Sequence, residues 1–195
     1  ATRDALVSNY IVAIIIIYLL LVAIFSHWGY PLLIMTTIPF GVAGGILGLW
    51  LFNLGGAWLP LIGMSELHLS FDMIAMLGFL ILMGTVVNNP ILIVHQAMTN
   101  VRDRGMQALD AVRHAVDARL RPIAMSTLTT VFGLAPLVFL AGEGTELYRG
   151  VGVIVMFGLL GTAIVSLTFL PALTALVLKF SSSDQTRLMK RRQPD

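Results

Sequence analysis

The sequence contains no cysteine, which excludes disulfides and thiolate metal sites and leaves the redox compartment unread. Charge is scarce too: 11% of its 195 residues are Asp, Glu, Lys or Arg, against about 25% in an ordinary soluble domain. The net charge of +2 is too small to imply a nucleic-acid partner. His27, His68, His95 and His114 lie far apart with no paired metal spacing, so neither a metal nor a cofactor is expected. An intramembrane enzyme would need a nucleophile with its base, or two histidines four apart with a glutamate, and the apolar segments carry neither. Residues 1–9 are short and polar, with Arg3 and Asp4. They lack the basic start, apolar core and small-residue cleavage site of a secretory signal, and read as a truncated lead-in.

What the chain has in abundance is apolar length. Hydrophobic residues make up 57% of it, and they fall into runs that predict an all-α integral membrane protein with five transmembrane helices, at about 10–27, 32–54, 71–98, 120–141 and 148–179. Trp28 and Tyr30, in the first turn between spans, suit the membrane interface. In the second span Gly44 and Gly48 form a small-xxx-small pair that lets another helix approach closely, and in the fifth Gly158 and Gly161 give close packing. Residues 53–70, interrupted by Gly55, Gly56 and Pro60 and carrying Glu66 and His68, predict an exposed loop or short interfacial helix. Residues 99–121 form the one clearly aqueous segment. Within it Ala108, Leu109, Val112, Ala115 and Val116 share a face, predicting a short amphipathic helix at about 105–118 on the membrane surface. Pro122 then fits the first position of the fourth span, where its missing donor costs nothing. Pro136 and Pro171 predict kinks farther along. Ser126, Thr127, Thr129 and Thr130 can each bond back to the preceding turn. The ten methionines are scattered and fit flexible helix packing. Residues 181–195 read as a disordered basic tail.

The chain is organised around Gly84-Thr85-Val86-Val87-Asn88-Asn89-Pro90, in the third span. An unpartnered side-chain amide in an apolar medium costs roughly 2–7 kcal/mol, so Asn88 and Asn89 are expected to face other helices or a watery path. Pro90 supplies no backbone donor and frees the carbonyl near Val86. Asp72, at the outer end of the same span, is a carboxylate in the interface with a lesser claim to a coupling role. The basic residues of 99–121 and of the tail lie on one side of the five spans, which by the positive-inside rule makes that side and the C-terminus cytoplasmic and the N-terminus external. Arg119 and Arg121 mark the membrane edge.

Five pieces in register carry a resemblance. Gly84 to Leu92 with its paired asparagines, Ala108-Leu109-Asp110-Ala111-Val112, Arg119-Leu120-Arg121-Pro122-Ile123-Ala124-Met125-Ser126-Thr127, Gly133-Leu134-Ala135-Pro136-Leu137 and Phe169-Leu170-Pro171-Ala172-Leu173 together resemble the C-terminal transmembrane block of resistance-nodulation-division (RND) efflux permeases, over residues 10–180. The resemblance implies spans eight to twelve of a proton-driven inner-membrane exporter of amphiphilic or hydrophobic compounds, with a periplasmic N-terminus and a cytoplasmic C-terminus. It further implies a homotrimer in membrane lipid, served by a periplasmic adaptor protein and an outer-membrane channel, with substrate domains and a proton-carrying aspartate pair outside these residues. Where well-known members place a lysine before an asparagine, this chain has Asn88 and Asn89. An asparagine can hydrogen-bond a carboxylate but supplies no compensating cation, so charge must be balanced differently. A related exporter of lipids or other hydrophobic compounds, or a non-transporting structural subunit, are the alternatives.

Overall fold

The computed structural model describes residues 2–26, 28–56, 69, 72–140 and 143–192, with side chains described at 7–26, 28–56, 69, 72–140 and 145–179. Seven helices follow one another: α1 (Thr2–Phe25), α2 (Gly29–Met35), α3 (Thr37–Gly56), α4 (Met73–Val86), α5 (Asn88–Arg104), α6 (Ala108–Phe139) and α7 (Glu143–Arg192). Among the described residues there is no strand. Five stretches are long and apolar enough to cross a bilayer, namely Val7–Phe25, Gly29–Gly56, Met73–Arg104, Ala108–Phe139 and Thr145–Lys179. The chain is an all-α membrane protein.

Two of these stretches are interrupted, and in both a proline explains where. α2 ends at Met35, four residues before Pro39, and α4 ends at Val86, four residues before Pro90. Each proline lacks the N–H that would bond the carbonyl four residues earlier, and its ring crowds that carbonyl. The first break is closed by hydroxyls: Thr36 Oγ1 donates to the Leu33 carbonyl at 2.6 Å and Thr37 Oγ1 to that of Ile34 at 2.7 Å. At the second, Val87 keeps helical dihedrals (φ −72°, ψ −16°) and its carbonyl accepts from the Ile91 N–H at 3.1 Å. α5 therefore follows α4 without a loop.

α7 is the hub, packed against α3, α4 and α6. Lipid offers apolar side chains no less than a helix does, so close contact has to come from small residues and dispersion. Gly44 of α3 meets α7 at Gly158 and Gly161: a Cβ built on Gly44 would stand 3.1 Å from the Phe157 carbonyl oxygen, 3.4 Å from Gly158 Cα and 3.5 Å from Gly161 Cα. Gly48, one turn on, lies against the Phe157 ring, and Gly158 lies against Leu82 of α4. Ile154, Leu82 and Phe79 fill the space between these three helices. α1 is peripheral. Leu21 and Phe25 are buried, while Ile11, Ile15, Ile16, Leu19 and Leu20 are open along its length; the Tyr10 hydroxyl donates to the Met76 carbonyl.

Three expectations are corrected in detail. The amphipathic stretch at 105–118 is not a separate surface helix, because α6 runs unbroken from Ala108 to Phe139 with Pro122 and Pro136 inside it. Pro122 leaves the carbonyl of Ala118 without its helical donor, but Ala118 and Pro122 are both exposed. Water or a headgroup can take that bond, and the helix continues. Second, the span expected at 71–98 is two helices that meet at Val87. Third, α7 continues to Arg192, past the point where composition suggested a disordered tail. The loop expected at 53–70 falls mostly outside the described residues. Its described ends are joined, since Asn53 Nδ2 donates to the Leu69 carbonyl at 3.0 Å while Asn53 Oδ1 accepts from the Leu69 N–H at 2.8 Å.

Candidate functional site at the α4–α5 junction

Asn88 and Asn89 are the first two residues of α5, set there by the break that Pro90 imposes. Neighbouring helical positions point about 100° apart, and the two side chains divide accordingly: Asn89 is buried, 7% exposed, and Asn88 is open on the bundle surface. Val86, Val87 and Pro90 are buried around Asn89. No hydrogen bond to either carboxamide is found among the described residues. Among the described residues, two strong polar groups thus stand without hydrogen-bond partners inside an apolar stretch.

The register of the neighbouring helix follows from contacts farther along. α5 and α6 run antiparallel and are joined at their charged ends, where Arg119 Nη2 donates to Gln96 Oε1 at 3.0 Å and Asn100 Nδ2 donates to the Ala111 carbonyl at 3.0 Å. Walking two turns from Gln96 toward Asn88, and the same distance from Arg119 along α6, reaches the turn Ile123–Thr127. Thr127 is buried and Ser126 exposed, repeating the division between Asn89 and Asn88. The other hydroxyls are engaged locally: Ser126 Oγ donates to the Ile123 carbonyl at 3.0 Å, Thr129 to Met125 at 2.8 Å and Thr130 to Ser126 at 2.9 Å. Thr85 is likewise bonded back to Ile81 and Leu82. On the far side of the break lies Thr162 of α7. A Cβ on Gly41 would meet Val86 Cγ2 at 2.7 Å and Thr162 Oγ1 at 2.8 Å, so α3 and α7 close on the junction through a glycine.

Other candidates lie elsewhere. Asp72 is the N-cap of α4, its Oδ1 accepting from the Ala75 N–H at 2.7 Å. His95 is exposed, with its ring edge-on to Phe25 at 6.2 Å, and His114 is exposed on α6; His27 and His68 fall outside the described residues. No group of three potential metal ligands occurs among the described residues. Pro136 and Pro171 sit inside α6 and α7.

Sequence reasoning missed the polar lock at the charged end. Asn100 is fully buried; its Oδ1 accepts from Gln96 Nε2 at 3.3 Å while its Nδ2 reaches Ala111, and its own carbonyl accepts from Met106 at 3.3 Å around the left-handed Gly105 (φ 62°). Arg119 completes the chain through Gln96, with its Nε buried and unpartnered. Gly105 carried a signal: a glycine shortly after the last helical turn predicts a left-handed cap whose donors turn back to the helix.

Comparison with known proteins agrees with this architecture. A profile of the AcrB/AcrD/AcrF family matches residues 1–178. The multidrug resistance protein MdtC of Edwardsiella ictaluri (strain 93-146) is 35% identical over 159 residues, 82% of this chain and 14% of the relative. MdtC of Pectobacterium atrosepticum is 31% identical over 183 residues, 94% of this chain and 16% of the relative. MdtC of Escherichia coli O1:K1 / APEC is 30% identical over 193 residues, 99% of this chain and 17% of the relative. The chain spans about a sixth of the length of these curated relatives. With its five apolar spans and the junction in the third, it belongs to the AcrB/AcrD/AcrF family of RND multidrug permeases.

Proposed function

We propose that these helices form part of the membrane domain of a proton-driven exporter of amphiphilic or hydrophobic compounds, and that Asn88 and Asn89 belong to its coupling site. The observation that carries the reading is the pair itself: two adjacent carboxamides, one buried and one open, with no hydrogen bond among the described residues, at a helix break inside an apolar span. Leaving such groups unpartnered costs roughly 2–7 kcal/mol each in an apolar medium. Partners from water or from the remainder of the protein remove that cost. A carboxylate is the fitting partner, because an amide N–H donates to it in the ionised form and the amide oxygen accepts from it when protonated. Protonation would then exchange one set of contacts at Asn88 for another, and the α4–α5 break gives α5 a place to pivot. Ser126 and Thr127 are the hydroxyls best placed by register to share the exchange. The family supports an inner-membrane setting, a homotrimer and an adaptor with an outer-membrane channel as partners. The basic end of the bundle supports a cytoplasmic C-terminus and a periplasmic N-terminus.

The test is Asn88→Ala in the full-length permease, read as efflux of a fluorescent amphiphile against membrane abundance. Coupling predicts efflux reduced at least tenfold at unchanged abundance. A parallel fall of both would reduce Asn88 to a packing residue and overturn the proposal.

A further inference from the structure

Along the apolar span of α7 the hydroxyls are spent locally, with one exception. Thr162, Thr168 and Thr174 each donate to the carbonyl four residues earlier, at 2.8, 2.7 and 2.8 Å, the usual bond for a hydroxyl inside a helix. Ser166 has no exposed surface, and its Oγ makes no hydrogen bond among the described residues. The Thr162 carbonyl, one turn earlier, is within its reach by spacing, and that bond is not made.

The packing of α3 and α4 on α7 fixes what stands level with Ser166. α4 and α7 rise together: a Cβ on Gly150 would lie 3.5 Å from that of Ala75, a Cβ on Gly78 would lie 3.1 Å from Val151 Cα, and Gly158 lies against Leu82. Val86 and Thr162 meet at Gly41. One turn on from that point α5 has taken over from α4 and packs on α7, so Asn89 and Pro90 come level with Ser166 at the same rise per residue. α3 runs the other way along α7, with Gly48 against Phe157, Gly44 against Gly161 and Gly41 against Thr162. One turn back from Gly41 is Thr37, at the break between α2 and α3. Ser166 therefore stands between the two proline breaks. Thr37 gives its hydroxyl to the Ile34 carbonyl and Thr162 to that of Gly158. The buried side-chain group left for Ser166 is the Asn89 carboxamide, which makes no hydrogen bond among the described residues.

We propose that Ser166 is a positioning residue of the coupling site: in one state of the transport cycle its hydroxyl pairs with the Asn89 carboxamide, and when α5 pivots at Val87 it returns to the Thr162 carbonyl. A hydroxyl both donates and accepts, so it can meet either half of the amide. The exchange keeps the buried hydroxyl satisfied on both sides of the movement, which spares the cost of stranding it. The inference rests on the coupling reading and adds the partner against which α5 works.

Two measurements test it in a full-length permease otherwise free of cysteine. Asn89→Cys with Ser166→Cys should be joined by a short bifunctional thiol reagent at least fivefold faster than Asn88→Cys with Ser166→Cys. The reverse order, or no joining of either pair, would overturn the inference. Efflux at equal membrane abundance is then compared for Ser166→Ala, Asn89→Ala and the double variant. Each single change should lower the maximal efflux rate at least threefold at unchanged KM, and the double variant should lower it no further. Ser166→Thr should stay within twofold of the wild type, and Thr174→Val, whose lost hydroxyl is spent on Leu170, should leave efflux unchanged. Effects that multiply in the double variant, or a Ser166→Ala indistinguishable from the wild type, would overturn the inference, and the coupling reading would still stand or fall on Asn88→Ala.

Discussion

Asn100 has no exposed surface, and its carboxamide makes two bonds, one with Gln96 within α5 and one to the Ala111 carbonyl across the α5–α6 turn. Asn100→Ala removes both, at a net cost of about 0.5–1.5 kcal/mol per bond; the Ala111 carbonyl keeps its helical donor within α6. The expected result is a lower thermal midpoint for the full-length permease and faster proteolysis near Gly105; an unchanged midpoint would mean water replaces the amide. Asn88 differs in kind, because its amide is open in this chain and makes no hydrogen bond among the described residues. Asn88→Lys should therefore retain more efflux than Asn88→Leu, with equal abundance, since a cation can face a carboxylate and a leucine cannot; the reverse order would argue for apolar packing. The asparagine pair was legible from sequence because polar residues are conspicuous in an apolar run. Asn100 was not, since its partner Ala111 offers only a backbone carbonyl, which no residue pattern announces. Asp72 was weighed for coupling, and its N-cap geometry accounts for it.

At the scale of elements, the outcome turned on what each proline does to one carbonyl. Pro39 and Pro90 end helices four residues upstream, whereas Pro122 sits within α6. Residue pattern alone could not separate these cases, because the exposure of Ala118 depends on which face of α6 is left uncovered. The same limit applied to the amphipathic stretch: its apolar face, with Ala111, Val112 and Ala115 buried, is real, but it packs inside the bundle and is continuous with the span. Helix existence and span number were legible because length and hydropathy decide both. The α3–α7 crossing gives a prediction with an internal control. Gly44→Leu should separate the two helices and lower the thermal midpoint, since a Cβ there already stands 3.1 Å from a backbone oxygen, whereas Gly55→Ala, with nothing within 4 Å, should leave it unchanged. Equal effects would show that the helices shift freely and that the close approach is not required.

The whole molecule is a bundle gathered on α7, with α1 and much of α6 left open: Ile16 and Leu20 on one, Met125, Leu128 and Phe132 on the other. Such faces suit acyl chains or further helices, and the curated relatives are about six times as long as this chain. Among the described side chains Asp72, Asp103, Asp110, Asp117 and Glu146 lie at helix ends or in the basic turn region, none of them beside Asn88, so the coupling proposal looks to the rest of the permease for its carboxylate. These helices reconstituted alone should accordingly move no substrate under a pH gradient; proton-driven efflux by them alone would end the proposal. The most direct measurement follows proton flux and substrate flux together in proteoliposomes of the full-length permease, wild type and Asn88→Leu, under an imposed pH gradient. The account predicts substrate-stimulated proton movement in the wild type and loss of both fluxes in the variant at equal protein incorporation. Proton movement unresponsive to substrate, or fluxes unchanged by Asn88→Leu, would contradict it.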